Sequence, residues 1–264
     1  AVKGKLERYA EVRKMRGTNV ARSEFPISIT RRGVEAVVPP PRSLVPSGRR
    51  PARSFKFMGV SVPEGASVLI VVDPRVDPVK ISTWLLAAGA VRGGLKVSLL
   101  SHLHGPATIR DLLGAEGCLD ERGMSLVRVS QFLDPGSMSV GDLLAQVFDA
   151  DAATRPDIVV AEAMNVVWEL MSQEEYADLI YSCMAHRAYN RITTFHIYMA
   201  PPDAALRAPM ASLYDIVFSV RPVEGGLEFV PVKRWGEEGE GEAVVVPYEA
   251  FSSCDGLSKY SLSA

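Results

Sequence analysis

Cysteine is scarce in this chain of 264 residues, and so are amides, long apolar runs and any dominant charge. Its three cysteines, Cys118, Cys183 and Cys254, are far apart and odd in number. Neither a disulfide framework nor a cysteine zinc site follows, and a reducing, cytoplasmic setting is expected. No apolar run approaches the roughly 18 residues of a membrane helix, so no span is expected. Asn and Gln amount to Asn19, Asn165, Asn190, Gln131, Gln146 and Gln173; low amide content is a thermophile-like trait. With 29 basic and 31 acidic residues the net charge is −2, which implies no general pull toward nucleic acid or acidic membranes. The opening AVKGKLERYAEVRK lacks the apolar middle of a signal peptide. The absence of an initiating Met fits either its removal before Ala1 or a piece cut from a longer chain.

What is present is a globular composition, 47% hydrophobic and 23% charged. Residues 5–14 and 24–38 hold β-prone stretches around a polar turn and predict a two-stranded hairpin. Residues 39–53, PPPRSLVPSGRRPAR, read as a linker, because Pro39, Pro40, Pro41, Pro46 and Pro51 fix φ and favour extended chain. Beyond it, strands and helices alternate. Strands are expected at 68–72, 95–100, 124–129, 158–161 and 192–199, then at 214–220, 227–232 and 243–247. Helices are expected at 78–91, 107–113, 140–153 and 173–189. Ser139 and Ser172 are the natural N-caps of the last two, with Glu175 completing a capping box. This alternation predicts an α/β domain: a mainly parallel central sheet flanked by helices, with antiparallel C-terminal strands. Residues 249–264 are polar and Ser-rich and predict a flexible tail.

Two stretches carry a resemblance. Val12-Arg13-Lys14-Met15-Arg16-Gly17-Thr18, then Phe25-Pro26-Ile27-Ser28-Ile29-Thr30, then Gly33-Val34-Glu35 is similar to the C-terminal end of a KaiC-family domain. There the run is V-x-K-M-R-G-T, a spacer, F-x-I-T, then G-I/V. The resemblance implies that residues 1–38 are the closing hairpin of a preceding KaiC-like domain, or exchanged edge strands. It also implies that Lys14 and Arg16 reach a neighbouring protomer's ATP, where a fixed cation stabilises phosphoryl charge. Residues 54–248 resemble a second domain of this RecA-like type. Phe57-Met58-Gly59-Val60 and Gly65-Ala66-Ser67-Val68 look like the approach to a P-loop. The loop itself should read G-x-x-x-x-G-K-[ST], since glycine amides wrap the phosphate and Lys reaches its oxygens.

Here stands Val72-Asp73-Pro74-Arg75-Val76-Asp77-Pro78-Val79-Lys80-Ile81-Ser82. It holds no glycine. Pro74 and Pro78 remove donors, and Asp73 and Asp77 put negative charge where phosphate would sit. Lys80 reads as a displaced P-loop lysine or a first-turn helix residue. Glu162 stands at the Walker B Asp position, after Ile158–Ala161. The domain's own tail, Val232-Lys233-Arg234-Trp235-Gly236, keeps the Lys and Gly of V-x-K-M-R-G and puts Trp235 at the Arg place. His102-Leu103-His104 would share a face if on a strand, which raises zinc ligation, against two polar residues at a strand end.

The resulting expectation is a pseudo-ATPase: a RecA/KaiC-like domain that does not hydrolyse ATP and serves scaffolding, oligomerisation or signalling regulation. A ring-like homo-oligomer, a signalling partner and an active domain before residue 1 go with it. One alternative is a divergent ATPase in which Lys80, Ser82 and Glu162 bind Mg-ATP. Another is a DNA-associated protein using the basic stretch 42–53 and Lys56, though no interleaved aromatic platform accompanies it.

Overall fold

A computed structural model describes residues 7–12, 24–30, 33–37, 53–115, 119–131, 138–201, 211–234, 241–252 and 262. Its centre is an eight-stranded sheet, and the fold class is the expected one: α/β, with a mostly parallel sheet, flanking helices and antiparallel C-terminal strands, consistent with a RecA-like fold.

Three strands precede the main domain: β1 (Tyr9–Glu11), β2 (Glu24–Thr30) and β3 (Gly33–Ala36). They form an antiparallel sheet in the order β1-β2-β3. The expected single strand over 24–38 is therefore two. Gly33 takes φ +112° where the chain turns back, a conformation that favours glycine.

β4 (Ser54–Phe57) and β5 (Val60–Pro63) form a tight hairpin. Met58 and Gly59 both have positive φ, 47° and 76°, as a two-residue primed turn requires. The residues that resemble a P-loop approach thus make a hairpin whose Phe55, Phe57 and Val62 are buried. Phe57 meets Phe195, Phe218 and Phe229 edge to face, with centroids 5.5, 5.3 and 6.3 Å away.

The main sheet comprises β6 (Ser67–Val72), β7 (Val97–Ser101), β8 (Val127–Gln131), β9 (Ile158–Ala161), β10 (Thr193–Met199), β11 (Ile216–Val223), β12 (Gly226–Lys233) and β13 (Val244–Pro247). Their spatial order is β13-β12-β11-β6-β10-β9-β7-β8. β11 through β8 run parallel; β12 and β13 are antiparallel. β6 is buried on both faces, as its unbroken apolar run demands. Its alternate residues feed two cores: Val68, Ile70 and Val72 face one, Leu69 and Val71 the other.

The first core is covered by the helix after β6. It starts as α1 (Pro78–Lys80), widens into a π-helix over Ile81–Ala88, and ends as α2 (Gly89–Arg92). Every residue from Ile81 to Val91 is buried, so this helix meets solvent only at its ends, at Lys80 and Arg92. The widening has a local cause. Ser82 and Thr83 hydroxyls both donate to the Val79 carbonyl, at 3.0 and 2.6 Å, which competes with the backbone ladder. α3 (Pro106–Ala115) and α4 (Glu121–Leu126) follow. α4 replaces the start of the strand expected at 124–129. Asp120 caps it by accepting from the Gly123 amide at 2.7 Å.

The second core lies under α5 (Val140–Thr154), α6 (Met164–Leu170) and α7 (Gln173–Tyr189). Ser139 and Ser172 cap α5 and α7 as expected, and the Ser172–Glu175 capping box is complete. Short α6 was not expected. The tail also differs from expectation. Tyr248–Ser252 forms a 3₁₀ turn whose Phe251 is buried beside Trp84, centroids 5.8 Å apart, and Leu262 is buried in the same core. Among the described residues, no helix is long and apolar enough to cross a membrane.

Candidate functional site

β6 and β9 are separated by β10 alone, and β7 lies beside β9. The carboxyl ends of β6, β7 and β9 therefore converge, at the kind of crevice where parallel α/β sheets bind ligands. The residues singled out from sequence meet there: the 73–77 loop, Ser82 and Glu162, joined by Ser101.

The loop after β6 is closed on itself. Asp73 accepts the Arg75 amide at 2.9 Å, and its carbonyl accepts the Val76 amide at 2.8 Å. Asp77 caps α1, accepting the Val79 amide at 2.9 Å with its carboxylate and the Lys80 amide at 3.2 Å with its carbonyl. Pro74 and Pro78 have no amide hydrogen to offer. The donors that would cradle a phosphate are thus engaged by two of the loop's own aspartates. The Arg75 guanidinium grips the Asp73 carboxylate through Nε and Nη2 at 2.9 and 2.8 Å. Those hydrogen bonds hold the Asp73 carboxyl below its usual range, against the opposing effect of burial.

Lys80 is exposed and lies over the Trp84 ring, 5.3 Å from its centroid. It closes α1, the first turn of this helix. Ile81, directly before Ser82, is fully buried. An apolar side chain thus stands where a P-loop has its lysine, if Ser82 is matched to the P-loop hydroxyl.

Glu162 is wholly buried. The Ser82 hydroxyl meets its Oε2 at 2.7 Å, and the Ser101 hydroxyl bonds its Oε1. Ser101 Oγ in turn accepts the His104 amide at 2.9 Å. Burial raises the Glu162 carboxyl above its usual value, more than the two serine bonds lower it. Proton counting agrees. Ser82 has one hydrogen but two acceptors in reach, Glu162 and the Val79 carbonyl. A protonated Glu162 that donates to Ser82 leaves Ser82 free to donate to Val79, and every member is satisfied. Burial that favours the uncharged form of this carboxyl works against magnesium ligation, which prefers ionised oxygen. Three features here oppose Mg-ATP binding: the loop amides are engaged, the Lys80 ammonium lies over Trp84, and Glu162 is enclosed by two serine hydroxyls.

The other expected residues are scattered. β7 ends at Ser101, so His102 and His104 are not alternate residues of one strand. Burial pushes His102 down to about 4. It lines a small cavity of about 30 Å³ with Cys183, Arg187 and His196. His196 is pushed to about 3, chiefly by burial, and its Nδ1 meets the Tyr214 hydroxyl at 2.6 Å. No group of three metal-ligating side chains occurs among the described residues. The Lys233 ammonium donates to the carbonyls of Ser212, at 3.2 Å, and Tyr214, so it ties the end of β12 to the segment just before β11. Lys14, Arg16 and Trp235 lie outside the described residues, as does most of the basic linker.

Sequence reasoning missed Ser101. Its signal was present: a hydroxyl ending an apolar strand next to the strand of Glu162. No protein-family model matches this chain, and no curated protein matches it. The site must therefore be read from its own chemistry.

Proposed function

We propose that this chain carries a non-hydrolysing RecA/KaiC-like domain with a scaffolding, oligomerisation or signalling-regulatory role. The observation that carries the reading is the closed loop after β6, whose amides at Arg75, Val76, Val79 and Lys80 are already bonded to Asp73 and Asp77. Opening it for a polyphosphate would break those bonds and bring two carboxylates against the incoming charge. Capped Glu162 supports the same reading. The crevice is an organised structural joint between β6, β7 and β9, and such a joint keeps a surface for partners without turnover. Assembly into a ring and engagement of a signalling partner belong to this proposal.

One observation favours a second reading, a divergent ATP-binding site. Ser82 and Glu162 lie 2.7 Å apart, and a hydroxyl with an acid is the pair that holds magnesium in P-loop enzymes. Calorimetric titration of Mg-ATP into the folded chain, with Lys80→Ala as control, separates the two. The expected result is no binding heat. Micromolar binding abolished by Lys80→Ala would overturn the first reading and establish the second.

A further inference from the structure

α5 has two stripes of different character. Leu143, Leu144 and Val147 enter the second core. Gln146, Asp149, Ala150 and Ala153 follow the i, i+3, i+4, i+7 spacing of one helical face, and every one of them is polar or small. All four line a single cavity with Arg128 and Ser130 of β8, the last strand of the main sheet.

β8 is two-sided in the same way. Val127 and Val129 pack in the first core, and the alternation of a strand turns Arg128 and Ser130 to the other face, toward α5. Among the described residues β8 gives nothing to the second core. Apolar side chains that would interlock helix and strand are missing here, and a cavity of about 380 Å³ remains. Small-molecule sites measure about 300–1,000 Å³. Leu100 and Val147 give this one an apolar wall.

Its inner end is an ion pair. Arg187 of α7 and Asp151 of α5 both line the cavity and are both buried. The Arg187 Nε donates to Asp151 Oδ2 at 2.9 Å, which occupies one edge of the guanidinium. No acceptor among the described residues meets its Nη2. Buried donors nearly always have an acceptor, so the unmet part of this guanidinium marks a place for one. Arg128, Gln146 and Asp149 are exposed, and the cavity thus leads from solvent to the buried pair.

The charges that line it are balanced: Arg128 and Arg187 against Asp149 and Asp151. A simple anion loses at the aspartates what it gains at the arginines, and a simple cation does the reverse. A molecule with both charges a few bonds apart is complementary to both. The Ser130 hydroxyl and the Gln146 amide can each donate and accept, so they suit a further polar group.

We infer that this cavity binds a small zwitterion of the α-amino acid class, with its carboxylate on the guanidinium groups of Arg187 and Arg128 and its ammonium on the carboxylate of Asp149. A carboxylate is the acceptor best matched to a guanidinium edge. The cavity shares no residue with the crevice of Glu162, so the site stands whether or not that crevice binds nucleotide.

Saturation-transfer NMR of the full chain against each of the standard L-amino acids tests it, followed by calorimetry on any that binds. The expected result is saturable binding of at least one. Acetate and methylamine, which carry one charge each, should bind about tenfold or more weakly, since each lacks one set of charged hydrogen bonds. Two variants place the site. Arg128→Gln removes an exposed guanidinium, and Ala150→Leu fills the cavity from a half-buried position on α5. Both should keep the fold, read by circular dichroism, and Arg128→Gln should weaken the amino acid about tenfold or more. Ala150→Leu should weaken it at least as much. Absence of saturable binding by every amino acid would overturn the inference. So would acetate binding as tightly as the amino acid, or binding that neither variant weakens.

Discussion

Glu162 and Asp151 are both buried carboxyls, yet the fold handles them in opposite ways. Asp151, on α5, accepts from the Arg187 Nε at 2.9 Å; the two side chains are 4% and 2% exposed. Among the described residues Glu162 has no ion-pair partner, and two serine hydroxyls hold it. In the first case the charge stays and is matched. In the second, burial raises the carboxyl's titration and so favours its uncharged form. Burying an ion is costly unless it is paired, and a lone acid escapes the cost by binding hydrogen. The comparison teaches that the surroundings of Glu162 favour its uncharged form, while the carboxylate of Asp151 is given a buried cation.

The largest way to break this comparison is at the ion pair. Arg187→Met leaves Asp151 buried without its partner and should cost about 3–5 kcal/mol in chemical denaturation. The double variant Asp151→Leu/Arg187→Met should recover most of that loss, because both charges go together. Arg187 also leaves its Nη2 without a hydrogen-bond partner among the described residues, so the pair is not ideally satisfied. If the double variant is as unstable as the single one, packing rather than charge holds this site.

Glu162→Gln sharpens the other half. Gln resembles the protonated acid in shape and neutrality. At pH 4 the variant should lie within about 1 kcal/mol of the parent, the worth of one altered hydrogen bond. The sign at higher pH follows from linkage. The folded carboxyl titrates above its ordinary value of 4.5, so the folded state holds the proton longer than the unfolded one. Stability contributed by this group is complete below the unfolded value and falls as pH rises through the folded value. Glu162→Gln is blind to this, so its advantage over the parent should widen from pH 4.5 upward. Denaturation curves at pH 4, 6 and 8 check it. A gap that narrows with pH would mean an ionised, stabilised Glu162 and would restore it as a metal ligand.

The sheet and the site were legible to different degrees, and the reasons are physical. β9 and α7 match their expected bounds because an unbroken apolar run and a complete capping box are local signals. The hairpin of β4 and β5 was hidden, since its turn uses Met58 at positive φ, which residue type does not advertise. α4 was read as strand because Met124 to Leu126 continue the apolar run of β8. Phe251 and Leu262 are buried from a Ser-rich tail, and only tertiary contact decides that. At the site, the missing glycines and the two aspartates of the loop were plain. That those aspartates would take up the loop's amides, and that Ser101 would join Ser82 on Glu162, depended on the convergence of three strand ends. Lys80 shows the limit best: its sequence position allowed two roles, and that its ammonium lies over the Trp84 ring is visible only in the fold.

The smallest expected effect concerns the loop's third carboxylate contact, Arg75 on Asp73. Arg75 is 74% exposed at its side chain while Asp73 is 6% exposed, so solvent screens the pair and its removal should hardly move global stability. The informative readout is the acid itself. Arg75 hydrogen bonds are the largest cause of the lowered Asp73 titration, so Arg75→Ala should move the Asp73 carboxyl upward toward its ordinary value of 3.8. With a depressed value, the group's stabilising contribution is present above the unfolded value and is lost as pH falls through the folded one. The variant should therefore begin losing that contribution at a higher pH than the parent. Carboxyl carbon NMR of Asp73 across the acid range measures the shift directly. The Arg75 amide bond to Asp73 is made by backbone and survives the substitution, so the loop should stay closed and Mg-ATP should still give no heat. Binding that appears on Arg75→Ala would instead make the guanidinium the lock on the crevice, and the comparison would then be between a site closed by a removable latch and a core closed by its ion pair.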